Sequence, residues 1–173
     1  MAIWQDTTTG FLHDDESGAA LALASWPQGL AGPLTDAQIA AARAPTLAAA
    51  QAAQIAIIDT SYAEAVQVSV SFKNAAGVTQ AYQADNDGPL SSQSVLLKNF
   101  TGYNIAGTTP TGFYWQAEDN TQVPFTLADL GDLYGTMLAQ GNAAFNQREK
   151  LKAAIRAATT VAAVQAITWP EGS

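Results

Sequence analysis

The chain has no cysteine, a single histidine and few cations: seven Lys and Arg stand against fifteen Asp and Glu in 173 residues, a formal charge of −8. Without cysteine, disulfides and thiolate metal sites are excluded. The one histidine, His13, sits beside Asp14, Asp15 and Glu16, a run without regular ligand spacing and without a second imidazole. We read it as a solvated acidic loop, with no metal site, no cofactor and no His-dependent nucleophilic triad. The acidic balance argues against nucleic acid, whose phosphates repel such a surface. No apolar run approaches the roughly 18 residues of a membrane span, so no membrane insertion is expected. The opening Met1-Ala-Ile-Trp-Gln-Asp also lacks the basic and apolar regions of a signal peptide, and the expectation is a cytoplasmic product.

What is present is apolar and alanine-rich, with 48% hydrophobic residues in a length suited to one domain and a small appendage. We divide it into residues 1–34 and 35–173. In the first segment Ile3-Trp4-Gln5 and Gly10-Phe11-Leu12 flank a polar turn and predict a short β-hairpin, with Asp14 to Gly18 as a loop. Two strands are marginal alone, so this hairpin needs a surface to pack on. Pro27, Gly29, Gly32 and Pro33 make the stretch around Trp26 a loop, where Trp26 reaches either the core or a partner.

In the second segment Thr35-Asp36-Ala37-Gln38 is a capping box that starts a helix at Asp36, and Pro45 stops or kinks it at Ala44. A helix over about 46–65 carries Leu47, Ile55, Ile58, Tyr62 and Val66 on one stripe, which fits packing on its own domain better than a coiled-coil seam. Val66, Val68, Val70 and Phe72 alternate with Gln67, Ser69 and Ser71 as a half-buried strand. Asn74 to Gly77 turns the chain, and 78–84 returns antiparallel. Asp85-Asn86-Asp87-Gly88 has the first half of a calcium loop by type. Leu96 stands where the closing acid would be, so it reads as a turn. Ser91 or Ser92 starts a helix to about Phe100.

Phe113-Tyr114-Trp115 and Val123-Pro124-Phe125 flank a polar turn, Glu118 to Thr121. Thr126 with Asp129 approaches a capping box for a long helix, with Leu127, Leu130, Tyr134, Leu138, Phe145, Leu151 and Ile155 at helical spacing. Glycines at 131, 135 and 141 predict a break near Gly141. Thr160 caps a last short helix with Val161, Val164 and Ile167 on one face, before Trp169 and Pro170. Trp115 and Trp169 are assigned to the core. Together these elements predict an α+β fold: a small antiparallel sheet of two hairpins packed with amphipathic helices, preceded by the N-terminal β-hairpin segment.

The order Trp115-x-x-x-Asp119-Asn120, then Val123-Pro-Phe-Thr-Leu-Ala-Asp-Leu130, then Arg148-x-x-Leu-Lys-Ala-Ala-Ile155, then Thr159-Thr-Val-Ala-Ala-Val-Gln-Ala-Ile-Thr-Trp169 resembles an uncharacterised domain of bacteriophage tail-fibre and tail-fibre-assembly proteins. With the Ala/Gln-rich helix and the hairpin ending Tyr82-Gln-Ala-Asp85, the resemblance covers about 46–169. It implies a bacteriophage tail protein, made in the bacterial host cytoplasm, that acts by protein–protein contact. It would serve as a tail-fibre assembly chaperone or as a fibre- or baseplate-associated virion subunit, with self-association open. It supplies no chemistry.

Adjacent Glu118 and Asp119 cannot flank a scissile glycosidic bond, so the expectation is a non-enzyme. The alternative of another class is a carbohydrate-binding module for host surface glycans, using Tyr114, Trp115 and Glu118. Charge is uneven: residues 1–147 hold thirteen acids and three bases, while 148–173 hold four bases and two acids. The candidate partner-binding residues are therefore Trp4, Phe11 and Trp26 in the N-terminal segment, with Arg148, Lys152 and Arg156 on the basic face.

Overall fold

Where Thr126 and Asp129 predict the start of a helix, the chain builds one. In the computed structural model the backbone is described at residues 3–5, 12–14 and 20–21, and residues 35, 37 and 44–170 are described in full. Thr126 Oγ1 accepts from Asp129 N at 3.2 Å, and Asp129 Oδ2 accepts in return from Thr126 N at 2.8 Å and Thr126 Oγ1 at 2.7 Å. This is a reciprocal cap made with Asp in place of the commoner Glu. The other Asp129 oxygen accepts from Ala75 N at 2.7 Å, so the same carboxylate also fastens the turn of a hairpin more than fifty residues earlier.

The fold is α+β. By its contacts the chain groups into two units, Met1–Ala53 with Ala158–Ala166, and Gln54–Ala157 with Ile167–Ser173. In the first unit, strands β1 (Ile3–Gln5), β2 (Leu12–Asp14) and β3 (Ala20–Leu21) pair antiparallel in that order. The register sets Ile3 opposite Asp14 and Trp4 opposite His13. The expected hairpin is thus extended to a meander, and its second strand starts two residues later than the sequence suggested. Asp14 lies in a strand, not in a loop. Ala37 is helical, as the predicted helix at 36 requires, and Ala44 forms a bend before Pro45.

Helix α1 spans Leu47–Ala65. Thr46 Oγ1 caps it, accepting from Ala49 N at 3.2 Å. Gln51 Nε2 donates to the Ala158 carbonyl at 3.2 Å. The short terminal helix, Val161–Gln165, is capped as predicted, with Thr160 Oγ1 accepting from Ala163 N at 3.1 Å, and it buries Val164.

The second unit holds the main core. Strands β4 (Val70–Lys73) and β5 (Thr79–Tyr82) form one antiparallel ladder, and β6 (Tyr114–Gln116) with β7 (Gln122–Pro124) forms another. They remain separate two-stranded sheets, linked by a backbone bond from Glu118 N to Ala81 O at 2.9 Å. The expected strand from Val66 is shorter than its alternation implied. Helix α1 runs through Ala65, and Val68 falls in the connection with 57% exposure.

Tyr82 packs edge-on to Phe72 and Phe125, which are tilted against each other, with all three centroids 5.4–6.2 Å apart. Burial pushes the Tyr82 hydroxyl pKa up, with the charges of Asp129 and Asp119 adding to it. Leu96, Val123, Leu130, Leu133 and Met137 complete the cluster, and Trp115 is half-buried against it.

Helix α2 (Ser92–Ala106) runs past the expected end at Phe100. Tyr103 packs edge-on to Phe113 at 5.1 Å, which gives its last turns a reason to stay helical, and Gly107 closes it at φ 78°. Helix α3 (Leu127–Ala157) is unbroken over 31 residues, so the predicted break at Gly141 does not occur. Packing on both neighbours outweighs the propensity cost of its glycines. Gly131 has a positive reason to be glycine. A Cβ there would lie 2.9 Å from Phe100 Cε2, whereas at Gly135 it would meet open space. Gln140 Nε2 donates to Ala65 O at 3.1 Å and Val68 O at 2.7 Å, tying α3 to the end of α1.

Two predictions follow from these contacts. Burial pushes the Asp129 carboxyl up, but the bonds from Thr126 and Ala75 outweigh it and hold the pKa below the ordinary carboxylate value. A depressed folded value means stability that is present above the unfolded pKa of about 4 and lost as pH falls through the folded value. Asp129→Ala should cost about 2 kcal/mol in urea titrations at neutral pH, with the gap to wild type closing in acid. Gly131→Ala should lower stability by about 1–3 kcal/mol through the Phe100 clash, whereas Gly135→Ala should raise it by up to about 1 kcal/mol. Equal effects at the two glycines would mean that Phe100 does not restrain α3.

Candidate functional site

The polar turn between β6 and β7 forms one wall of a groove. Ala117 N donates to Thr121 O at 2.9 Å, and Thr121 N donates to Asp119 Oδ1 at 2.9 Å, a local Asx turn. That bond from Thr121 N holds the Asp119 carboxyl below its usual pKa. Asn120 takes φ 68°, a left-handed conformation that Asn tolerates better than most residues, and its Oδ1 accepts from Gln116 Nε2 at 3.0 Å. Because β6 alternates, Tyr114 and Gln116 face outward while Trp115 turns toward the core.

Two adjoining hollows of about 420 and 460 Å³ lie against this wall and share Gln83, Leu90, Ser92 and Glu118. The first is completed by Tyr114, Trp115, Gln116 and Asn120, the second by Gln67, Ser69 and Asp85. Ser69 Oγ donates to Glu118 Oε1 at 2.9 Å, which orients that carboxylate. Asp85 Oδ2 accepts from Ser92 N at 3.1 Å at the start of α2. The Ser92 hydroxyl and amide hold the Asp85 carboxyl below its ordinary pKa. The Asp85–Gly88 segment closes on itself through Ser91 Oγ, which donates to Gly88 O at 2.9 Å. Among the described residues no group of three His, Cys, Asp or Glu side chains is placed to hold a metal ion.

The basic face of α3 is differently used. Arg148 Nε donates to Asp59 Oδ1 on α1, and Lys152 Nζ donates to both oxygens of the same carboxylate at 3.0 and 3.2 Å. The Arg148 guanidinium also lies over the Tyr62 ring at 5.1 Å. Lys152 is only 8% exposed. Hydrogen bonds from Arg148, then Lys152, hold the Asp59 carboxyl below its ordinary pKa, and the same contact raises that of Arg148. Two of the three proposed contact cations therefore join α1 to α3. Arg156 is exposed on the same helix. Trp4 lies in β1 opposite His13, its side chain outside the described part of the structure; Phe11 and Trp26 fall outside the described residues altogether.

Two further surfaces were not anticipated. Leu138 and Phe145, members of the apolar series at helical spacing, are 54% and 45% exposed. They follow Gly131 at successive seven-residue steps, on the line of α3 that meets Phe100 at Gly131. A cavity of about 580 Å³ opens beside Val68, Gln140, Gln147 and the half-buried Trp169, so this Trp walls a cavity and is not enclosed in the core. Of the groove residues, Gln67 and Ser69 were readable as the outward face of a strand. Their meeting with Asn120 and Gln83 depends on how the two hairpins sit together, which local pattern does not carry.

Asp59→Ala leaves Lys152 buried without its carboxylate, and the expected cost is on the order of 1–3 kcal/mol by chemical denaturation, between exposed and buried ion-pair limits. Since the Asp59 value is depressed, the wild-type advantage should vanish as pH falls through it. An unchanged denaturation midpoint would show that the contact adds nothing to the helix pair.

A family model described as a domain of unknown function (DUF4376) matches residues 49–168. Neither the curated proteins nor the solved structures contain a match.

Proposed function

The chain belongs to the DUF4376 family, and from that premise we propose that it is a bacteriophage tail protein acting by protein–protein contact with a tail-fibre or baseplate protein. Two lines support the reading. The matched span, 49–168, is nearly the stretch whose motifs resemble the tail-fibre and tail-fibre-assembly domain. The observation that carries contact as the mode of action is the exposed pair Leu138 and Phe145. They continue the line of α3 that packs on α2 at Gly131, and beyond that point large apolar side chains stand in solvent. Such a strip is a contact surface in the making.

In this role the protein is either an assembly chaperone, which binds the distal fibre and leaves, or a subunit retained on the fibre or baseplate. Its place of action is the host cytoplasm during assembly, and in the second version the virion tail as well.

Quantitative mass spectrometry of purified particles, with pull-down from lysates, tests this. Stoichiometric presence makes it a subunit, and absence from particles with fibre co-purification makes it a chaperone. The double variant Leu138→Asp with Phe145→Asp should fold, since both side chains are exposed, and should lose co-purification by about tenfold or more. Absence from both particles and fibre pull-downs would overturn the tail assignment. Undiminished capture by the double variant would remove α3 as the contact surface.

A further inference from the structure

We propose that the groove between the two hairpins, walled by Tyr114, Gln116, Glu118, Asn120, Gln83 and Ser92, binds a neutral oligosaccharide. This does not rest on the tail assignment; it rests on the chemistry of the wall. A sugar presents vicinal hydroxyls, each a donor and an acceptor, on a ring with apolar C–H faces. Recognition therefore needs side chains that both donate and accept, set beside an aromatic surface. Gln83, Gln116 and Asn120 offer amides, Ser92 a hydroxyl, and Glu118 and Asp85 carboxylates. Tyr114, 47% exposed, supplies an aromatic ring with a polar tip, and the half-buried Trp115 lies next to it.

The polar groups are held before any ligand arrives. Ser69 fixes one oxygen of Glu118, Ser92 N fixes one of Asp85, and Gln116 is bonded to Asn120. Each of these carboxylates and amides keeps further hydrogen-bonding capacity, since a carboxylate accepts about four bonds and an amide makes up to four. Fixing them beforehand lowers the ordering cost of binding.

Charge narrows the class. Among the described residues the lining holds Glu118 and Asp85 and no cation, so phosphate, sulfate and sialic acid are repelled. The two hollows, about 420 and 460 Å³, each fall in the range of small-ligand sites, and they adjoin through shared residues, with room for more than one sugar unit. A peptide would also find amides here, so a peptide is the competing occupant that the experiment must separate.

The test is retention of the full chain on an array of neutral and anionic glycans, followed by NMR titration of the isotope-labelled chain with the retained glycan. Tyr114→Ala and Glu118→Gln serve as site variants. Both positions are exposed, and thermal melting confirms folding before binding is read. The expected result is retention of neutral glycans over sialylated or sulfated ones, with amide shifts confined to Gln83, Ser92 and 114–120. Loss of the aromatic platform in Tyr114→Ala should weaken binding by about tenfold or more. If Tyr114→Ala melts early, Gln116→Ala replaces it. No retained glycan, preferential retention of anionic glycans, or retention unchanged in every folded variant would overturn the proposal. So would displacement of the groove resonances by a fibre-derived peptide with none by sugars.

Discussion

The carboxylate of Asp129 is the contact on which the second unit's construction depends. It closes the first turn of α3 through Thr126 and, with its other oxygen, holds Ala75 in the turn between β4 and β5. The helix that spans the unit and the hairpin that meets it are therefore set by one buried group. Removing a charge from water is costly, and here three hydrogen bonds offset the cost. Its neighbours carry the consequence. Asn74 Nδ2 donates to Pro124 O at 3.0 Å, so the turn that Asp129 fixes is also bonded to β7, and Phe125 is brought onto Phe72 and Tyr82. The groove lies farther along the same hairpins, where Glu118 N meets Ala81 O. Its walls inherit their spacing from this arrangement.

The α1–α3 pair is built on a different economy. The alanines along these helices bury little area for each residue, so side-chain polar contacts do part of the specifying. Gln140 reaches the carbonyls left open at the end of α1, and Asp59 gathers Arg148 and Lys152 farther up. Their distances along the two helices fix an antiparallel register that an alanine face alone would leave free to slide. In a chain with seven cations, committing two to one carboxylate leaves the remainder of the surface strongly acidic. That surface repels anionic ligands and raises the relative weight of neutral and apolar contacts.

What could be read from sequence was what is local. Both caps, at Thr126 and Thr160, depend on residues three apart and are legible, as are the turns at 74–77 and 118–121. The errors share a cause. Val66 to Phe72 alternates well enough to be a strand, yet Ala65 is claimed by a helix whose packing extends to it, and the strand starts only at Val70. Gly141 looked like a breaker because propensity is a per-residue quantity, whereas α3 is stabilised by neighbours on either side. Leu138 and Phe145 sit on a proper helical period, but periodicity reports spacing and not which neighbour ends early. The pairing of Arg148 and Lys152 with Asp59 is not legible locally, because Asp59 is about ninety positions away in sequence. The groove is half legible: Tyr114, Trp115 and Glu118 stand together in one segment, while Gln83 and Ser69 join them only through tertiary placement.

The apolar strip on α3 and the polar groove on the hairpins make different physical demands, and that is why one chain can carry both. A strip of Leu and Phe gains free energy by excluding water, so it favours a broad partner and a long-lived contact. An open trough of amides exchanges bonds with water for bonds with hydroxyls, and the small net gain per bond keeps single-site affinity low. Low affinity is no obstacle on an assembly that displays several copies, because each later contact forms at the effective concentration set by the first. A tail protein anchored by the strip and facing outward with the groove would turn weak sugar contacts into firm attachment without any change in the site. The same groove on a chaperone that leaves before the particle is complete would gain nothing from repetition. Under the proposed tail role, whether the protein stays in the finished particle therefore decides what the proposed sugar groove can accomplish.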